Sequence, residues 1–268
     1  FLINARLSDK SLKQYLRFQS LAEETLENFT MICTQSNKDR NNFQRLTRKK
    51  LEVVANLKFD FPVPKNLQLH AGKLRKELGV TSNFVVVAGS TRTGEEKIIL
   101  NYFKALPIDN VVLVIVPRHP QRFNEVENLI KLSDLPYVRR SAVRNVNTKV
   151  KVILGDTMGD LYIYYGLADL VLLGGSLENF GSQNPIEPLR LGKPVAIGPS
   201  IYNFMDVIEK AEKQELIFRL NNIRGLESLI KNMLKDAKNK ALQKERHTFV
   251  ETQSGGSKKV AALLNRYL

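Results

Sequence analysis

Asn184, Pro185 and Glu187 lie in the stretch FGSQNPIEPLRLGKPVAIGP (Phe180–Pro199) with the spacing of a helix N-cap, a first-turn proline and a capping-box acid. An amide and a carboxylate at a helix start can also hydrogen-bond a ligand. Three other turns share this double character. AGSTRTGEE (Ala88–Glu96) sets two glycines and three hydroxyl side chains ahead of a helix, and Thr93 and Glu96 have capping-box spacing. It is neither a Walker A loop nor G-x-G-x-x-G, so the standard P-loop and dinucleotide readings fail. PRHPQRF (Pro117–Phe123) places Arg118 and His119 at the end of an apolar run, with Pro120 suited to a first helical turn. An arginine there is suited to a bidentate phosphate contact; a solvent-facing arginine is the plain alternative.

The third turn opens GDTMGDLYIYYGLADL (Gly155–Leu170). Thr157 and Asp160 repeat the capping spacing, and Gly159 lets backbone approach a ligand closely. The fourth, GGSLENFGSQNPIEP (Gly174–Pro188), leads into the asparagine, proline and glutamate named first. Helices that only need caps do not need this glycine density. Four converging helix starts with an arginine and a histidine point to a phosphate or carboxylate ligand. Glu187 is then the unusual component, because a carboxylate in a basic pocket suits sugar hydroxyls.

These turns need a frame. Apolar, β-branched runs recur at Phe84–Ala88, Val111–Val116, Val150–Leu154, Leu170–Leu173, Val195–Ile197 and Leu216–Phe218. Helical patterns separate most of them, at Glu95–Lys104, Gln121–Leu132, Leu161–Ala168, Ile186–Leu191 and Met205–Lys213. Continuous apolar strands alternating with helices imply a parallel sheet covered on both faces, and ligands bind outside its carboxyl edge. Upstream, Phe1–Leu7, Met31–Gln35 and Leu51–Leu57 read as strands, with a helix opened by Ser8 between the first two. FDFPVPKN (Phe59–Asn66) has two close prolines and reads as a linker, and Leu226–Leu234 and Lys258–Leu268 read as helical. The expected organisation is therefore residues 1–60, a linker at 61–66, a Rossmann-like domain over 67–250 and a C-terminal helix over 251–268.

Composition narrows the classes. The 268 residues are 43% hydrophobic, with no run near the roughly 18 apolar residues of a membrane span. A single cysteine, Cys33, excludes a disulfide framework, and three scattered histidines make a zinc site a poor expectation. Forty-one Lys and Arg against 27 Asp and Glu give a net charge of +14, which favours a polyanionic partner. The excess gathers at Lys38–Lys50 and Lys231–His247, each of which reads plainly as a solvated basic helix face. Only Phe43 is interleaved with them, so base stacking has little support and no nucleic-acid partner is expected.

STRTGEE, PRHPQRF, GDTMGDL and GGSLENFGSQNPIEP, with NARLS (Asn4–Ser8) and NLKFD (Asn56–Asp60), closely resemble the lipopolysaccharide Kdo (3-deoxy-D-manno-octulosonic acid) transferases. The resemblance runs in order from Asn4 to about Leu264. It implies an α/β fold of GT-B type: a doubly wound, parallel-sheet, Rossmann-like C-terminal domain and the remaining part of a facing N-terminal α/β domain. It implies inverting, metal-independent transfer of Kdo from CMP-Kdo to a lipid A precursor, with no cofactor. The reaction would take place at the anionic, cytoplasmic face of the bacterial inner membrane. Matched motif by motif, Pro117 and Arg118 would contact the nucleotide, and Met158, Gly159 and Asp160 would set backbone against it. Asn184, Pro185, Ile186 and Glu187 would complete the donor site, with Glu187 on the ribose hydroxyls. The family's glutamate base and membrane anchor belong upstream of Phe1, so no catalytic residue is assigned in this chain.

The chain departs from the family pattern at five positions. Arg92 takes the place of the histidine in S-T-H, and G-G-H-N becomes Gly181-Ser182-Gln183-Asn184, with Ser182 for a glycine and Gln183 for the histidine. Asp160 replaces a glutamate, and Ala55 a glycine. Two rival readings share the composition: a GT-B enzyme using a UDP-sugar, and a non-catalytic basic module binding RNA or a membrane surface.

Overall fold

The computed structural model describes residues 1–143, 149–235 and 238–267, and divides them into two compact units. The first holds Phe1–Pro62 with Val250–Leu268, and the second Val63–Phe249.

In the first unit, β1 (Leu2–Ala5), β2 (Ile32–Thr34) and β3 (Leu51–Val53) form a parallel sheet in that order. Side chains alternate across a strand, so Ile32 and Cys33 serve two different cores. Ile32 packs with Leu7, Leu12, Leu26, Phe43 and Leu51, and Cys33 with Met31, Val54, Val260 and Leu263. The helix Gly256–Leu264 covers the second face. Asp60 fixes its start by accepting from the N–H groups of Gly255 (2.6 Å) and Ser257 (2.5 Å). The expected strand Leu51–Leu57 stops at Val53. Asn56 Oδ1 accepts from Lys58 N–H at 3.0 Å and turns the chain into the short 3₁₀ helix Leu57–Asp60.

The basic segment Lys38–Lys50 is not one solvated helix. Only Asn37–Phe43 is helical, and there Asp39 and Asn42 turn inward to hold the backbone N–H and C=O of Leu7. In the second basic segment, Lys231 and Lys235 end the helix Gly225–Lys235, and Lys244 lies on the helix Lys238–Glu251 with Arg246 buried beside it. The side chains of Lys238 and Lys240 lie outside the described residues.

The second unit is a doubly wound seven-stranded parallel sheet: β4 (Phe84–Thr91), β5 (Val111–Pro117), β6 (Tyr137–Arg139), β7 (Val152–Leu154), β8 (Leu170–Leu173), β9 (Val195–Ile197) and β10 (Ile217–Arg219). Their order is β10-β9-β8-β4-β5-β7-β6. β5, β7 and β8 are buried throughout, as expected of strands covered on both faces. The chain builds outward from β4 through β5, β6 and β7, then returns to lay β8 on the other side of β4. That reversal makes the carboxyl ends of β4 and β8 the topological switch point, where open α/β sheets leave a crevice.

Candidate functional site

All four turns singled out by sequence emerge at this carboxyl edge, after β4, β5, β7 and β8. Thr91 and Pro117 are the last paired residues of β4 and β5, and Arg118 N–H donates to Thr91 O at 3.0 Å. β4 therefore runs beyond Ala88, through Gly89, Ser90 and Thr91, before turning.

Two buried glutamates shape the turn after β4. Glu95 is fully buried, and its carboxylate accepts from four backbone N–H groups: Arg92 (2.8 Å), Gly175 (2.6 Å), Ser176 (3.0 Å) and Leu177 (2.9 Å). Burial pushes this carboxyl above its ordinary range, against the pull of those N–H groups. Glu96, also fully buried, accepts two parallel bonds from the Arg122 guanidinium (2.7 and 3.1 Å) and one from Thr91 Oγ1 (2.7 Å). The capping box expected of Thr93 and Glu96 does not form. Gly94, at φ +96°, precedes the helix, no side chain caps it, and Arg122 claims the Glu96 carboxylate.

The loop after β8 is held equally closely. A Cβ on Gly174 would lie 2.3 Å from Ser90 O, so only glycine lets β8 leave the sheet against β4. Ser176 Oγ accepts from Gly198 N–H (2.9 Å) and ties the loop to the end of β9. Gln183 N–H returns to Gly174 O at 2.9 Å, which delivers Asn184 to the helix start. Asn184 Oδ1 then accepts from Ile186 N–H (3.1 Å), and its Nδ2 donates to Glu187 Oε1 (3.1 Å). Asn184 thus caps the turn and holds the glutamate together. Pro185 and Ile186 are buried beneath them, and Pro185 takes the N-cap position itself.

After β7, the second expected capping box is also absent. Thr157 Oγ1 pairs with Tyr164 OH at 2.7 Å, and Asp160 precedes the helix Leu161–Leu167 without a side-chain cap. Gly159 turns at φ +85°, and Met158 is 71% exposed.

What joins these turns is a residue that sequence reasoning passed over. Tyr165 is buried, is hydrogen-bonded to Ser90, and lies within the electrostatic reach of both Glu187 and Arg118. Its phenol is pushed up first by burial and then by Glu187, with Arg118 pulling the other way. On the same helix Tyr162 is pushed up to about 12 by burial and Glu187. Tyr164 is also pushed up to about 12 by burial, with the Thr157 hydroxyl opposing. The charges of Arg118 and Glu187 thus both reach this buried phenol, and the Asn184 amide holds the glutamate. Met158 and Gly159 sit at the same edge, and among the described residues no hydrogen bond joins them to Tyr165, Arg118 or Glu187.

The helices that follow β7 and β8 have only seven and five residues, so little macrodipole reaches the edge from them. Its charge comes from side chains. Arg118 is exposed and enters none of the ion pairs formed among the described residues.

Residues 1–61 match the family 3-deoxy-D-manno-octulosonic-acid transferase (kdotransferase), and residues 72–252 match glycosyl transferases group 1. A bifunctional glycosyltransferase/methyltransferase of Fusobacterium nucleatum is 37% identical over 83% of this chain and 35% of its own length. A 3-deoxy-D-manno-octulosonic acid transferase of Haemophilus influenzae is 32% identical over 85% of this chain and 56% of its own. The chain therefore spans about a third to just over half of these relatives. The crystal structure of the C-terminal CMP-Kdo binding domain of WaaA from Acinetobacter baumannii is similar, with a TM-score of 0.64 and 26% identity over 69% of this chain and 97% of that domain.

Proposed function

The chain belongs to the group 1 glycosyl transferases, and through its first residues to the Kdo transferase family; from that premise we propose that it binds CMP-Kdo and transfers Kdo to a lipid A precursor. Lipopolysaccharide inner-core synthesis is the process this serves. The observation that carries the reading is Arg118, a solvent-exposed guanidinium at the end of β5 with no carboxylate partner among the described residues, in reach of the tyrosine that also feels Glu187.

Departing CMP gains negative charge as the glycosidic phosphate bond breaks. A guanidinium held beside that charge would lower the barrier electrostatically without a metal, which suits an inverting, metal-independent displacement. Glu187, steadied by Asn184, serves the ribose hydroxyls of the nucleotide. Pro117, Met158, Gly159, Asp160, Pro185 and Ile186 line the same donor site with backbone and apolar surface. The net charge of +14 suits a phosphorylated lipid acceptor and the anionic cytoplasmic face of the inner membrane. Among the described residues no helix is long and apolar enough to cross a membrane.

Calorimetric titration of the chain with CMP and with UDP tests the nucleotide choice. Tighter binding of CMP is expected, and a preference for UDP would overturn the reading in favour of a UDP-sugar enzyme.

A further inference from the structure

Arg92 leaves β4 directly beside Arg118 leaving β5, because Thr91 and Pro117 close the ladder between those strands. Parallel neighbours run about 4.8 Å apart, so two guanidinium-bearing side chains start side by side at the carboxyl edge. Neither enters an ion pair among the described residues. The two carboxylates that follow Arg92 in the chain are already committed, Glu95 to four backbone N–H groups and Glu96 to Arg122 and Thr91, and Glu178, whose side chain lies beside Gly94, forms no ion pair with either arginine among the described residues.

Arg92 is nonetheless held in place. Its Nη1 lies 3.0 Å from His119 Nε2, and its guanidinium carbon stands 4.7 Å from the centroid of the Phe180 ring. A guanidinium can only donate, so Nε2 accepts and the imidazole keeps its proton on Nδ1. An imidazole lone pair and an aromatic face orient the group without cancelling its charge. The result is two cations leaving neighbouring strands, Arg92 oriented and neither in an ion pair among the described residues, an arrangement stabilised by a ligand with two anionic groups close together.

We propose that Arg92 binds the carboxylate of the transferred sugar while Arg118 holds the nucleotide phosphate. This rests on the reading of the chain as a transferase using a CMP-activated 2-ulosonic acid. In such a donor the phosphate oxygen and the carboxyl carbon are attached to the same anomeric carbon, so the two anions are near neighbours. Arg92, with one face on Phe180 and one nitrogen on His119, keeps an edge for a forked contact with a carboxylate. The pair thereby selects for a sugar that carries an acid at its anomeric carbon, which a hexose donor lacks. The other chemistry that could bridge two guanidiniums is the diphosphate of a UDP-sugar, and the test separates the two.

The experiment is titration calorimetry of the wild type, Arg92→Gln and Arg118→Ala with CMP, CMP-Kdo and UDP-glucose, with thermal melting to confirm that each variant folds. Arg92→Gln is expected to leave CMP affinity within about twofold and to weaken CMP-Kdo by about tenfold or more, whereas Arg118→Ala weakens both. Equal effects of Arg92→Gln on CMP and CMP-Kdo, or none on either, would overturn the carboxylate contact while leaving the CMP reading intact. Arg92→Lys, which keeps the charge but loses the fork, is expected to fall between wild type and Arg92→Gln for CMP-Kdo alone. A wild type that prefers UDP-glucose, with that preference lost in Arg92→Gln, would assign Arg92 to a second phosphate and overturn both the contact and the CMP reading.

Discussion

A Cβ on Gly89 would stand 2.4 Å from Cε1 of Tyr165, so the end of β4 and the tyrosine ring share a space that only glycine leaves open. Gly89→Ala overpacks this contact and is expected to cost about 1–3 kcal/mol. Because the Tyr165 phenol lies between the fields of Arg118 and Glu187, CMP affinity should fall with the melting temperature. Combining Gly89→Ala with Tyr165→Leu should cost less than the sum of the two single changes. An alanine variant that melts and binds like wild type would show that the contact constrains nothing.

Arg118→Ala and Glu187→Ala should both weaken CMP without unfolding the second unit. Loss of a charged hydrogen bond is worth about 1.5–3 kcal/mol, or about tenfold to a hundredfold in affinity for Arg118. The effect of Glu187→Ala should shrink when cytidine 5′-phosphate is replaced by its 2′,3′-dideoxy analogue, since the hydroxyls it serves are then gone. Calorimetry reads both, and unchanged affinity in both variants would remove these residues from the donor site.

The Glu96–Arg122 pair is buried on the acid side and only 12% exposed on the arginine side. Breaking such a pair from one end strands a charge, so Glu96→Gln and Arg122→Met should each cost about 3–5 kcal/mol. The double variant Glu96→Gln/Arg122→Met should recover part of that loss in denaturant unfolding. Simple additivity would argue that the pair is not coupled.

Asp156 gives a pH signature. Burial alone raises its carboxyl, but the Ser141 hydroxyl and N–H together with the Arg139 guanidinium outweigh burial and hold it below the ordinary range. A carboxyl lowered by folding contributes stability above its unfolded pKa of about 3.9, and loses it as pH falls through the folded value. The melting-temperature gap between wild type and Asp156→Asn should therefore be open at pH 7 and close below about pH 4. A gap independent of pH would refute this assignment.

How much of this is legible in the residues depends on where the determining partner lies. β5, β8 and β9 read clearly because strands buried on both faces are unbroken apolar runs. β6 does not. Tyr137–Arg139 is a half-buried edge strand whose Arg139 side chain is directed to Asp156 and Glu127, so no apolar run marks it. The end of β4 is hidden for a similar reason, since Gly89, Ser90 and Thr91 look like a turn until Pro117 pairs with Thr91. Arg118, Asn184 and Glu187 stand out because a charged or amide group beside a strand end or helix start is conspicuous by type. Tyr165 looks like an ordinary core aromatic, and Glu95 like a helix-start acid, because what defines them is distant in sequence. Adjacent glutamates directly after a glycine turn were the one available signal, and local capping rules misdirect it.

The bond from Glu95 to Gly175 crosses 80 residues. The loop after β8 is therefore only partly closed by its own bonds: the N–H groups of Gly175, Ser176 and Leu177 find their acceptor only after β4 and β8 lie side by side. Such non-local closure comes late when a chain assembles, because the entropy of bringing distant segments together must be met first. During synthesis the Glu95 carboxylate waits for a partner that has not yet been made. If the unit were cut anywhere between residues 95 and 175, neither half would carry the finished loop, and the two would have to recombine to restore it.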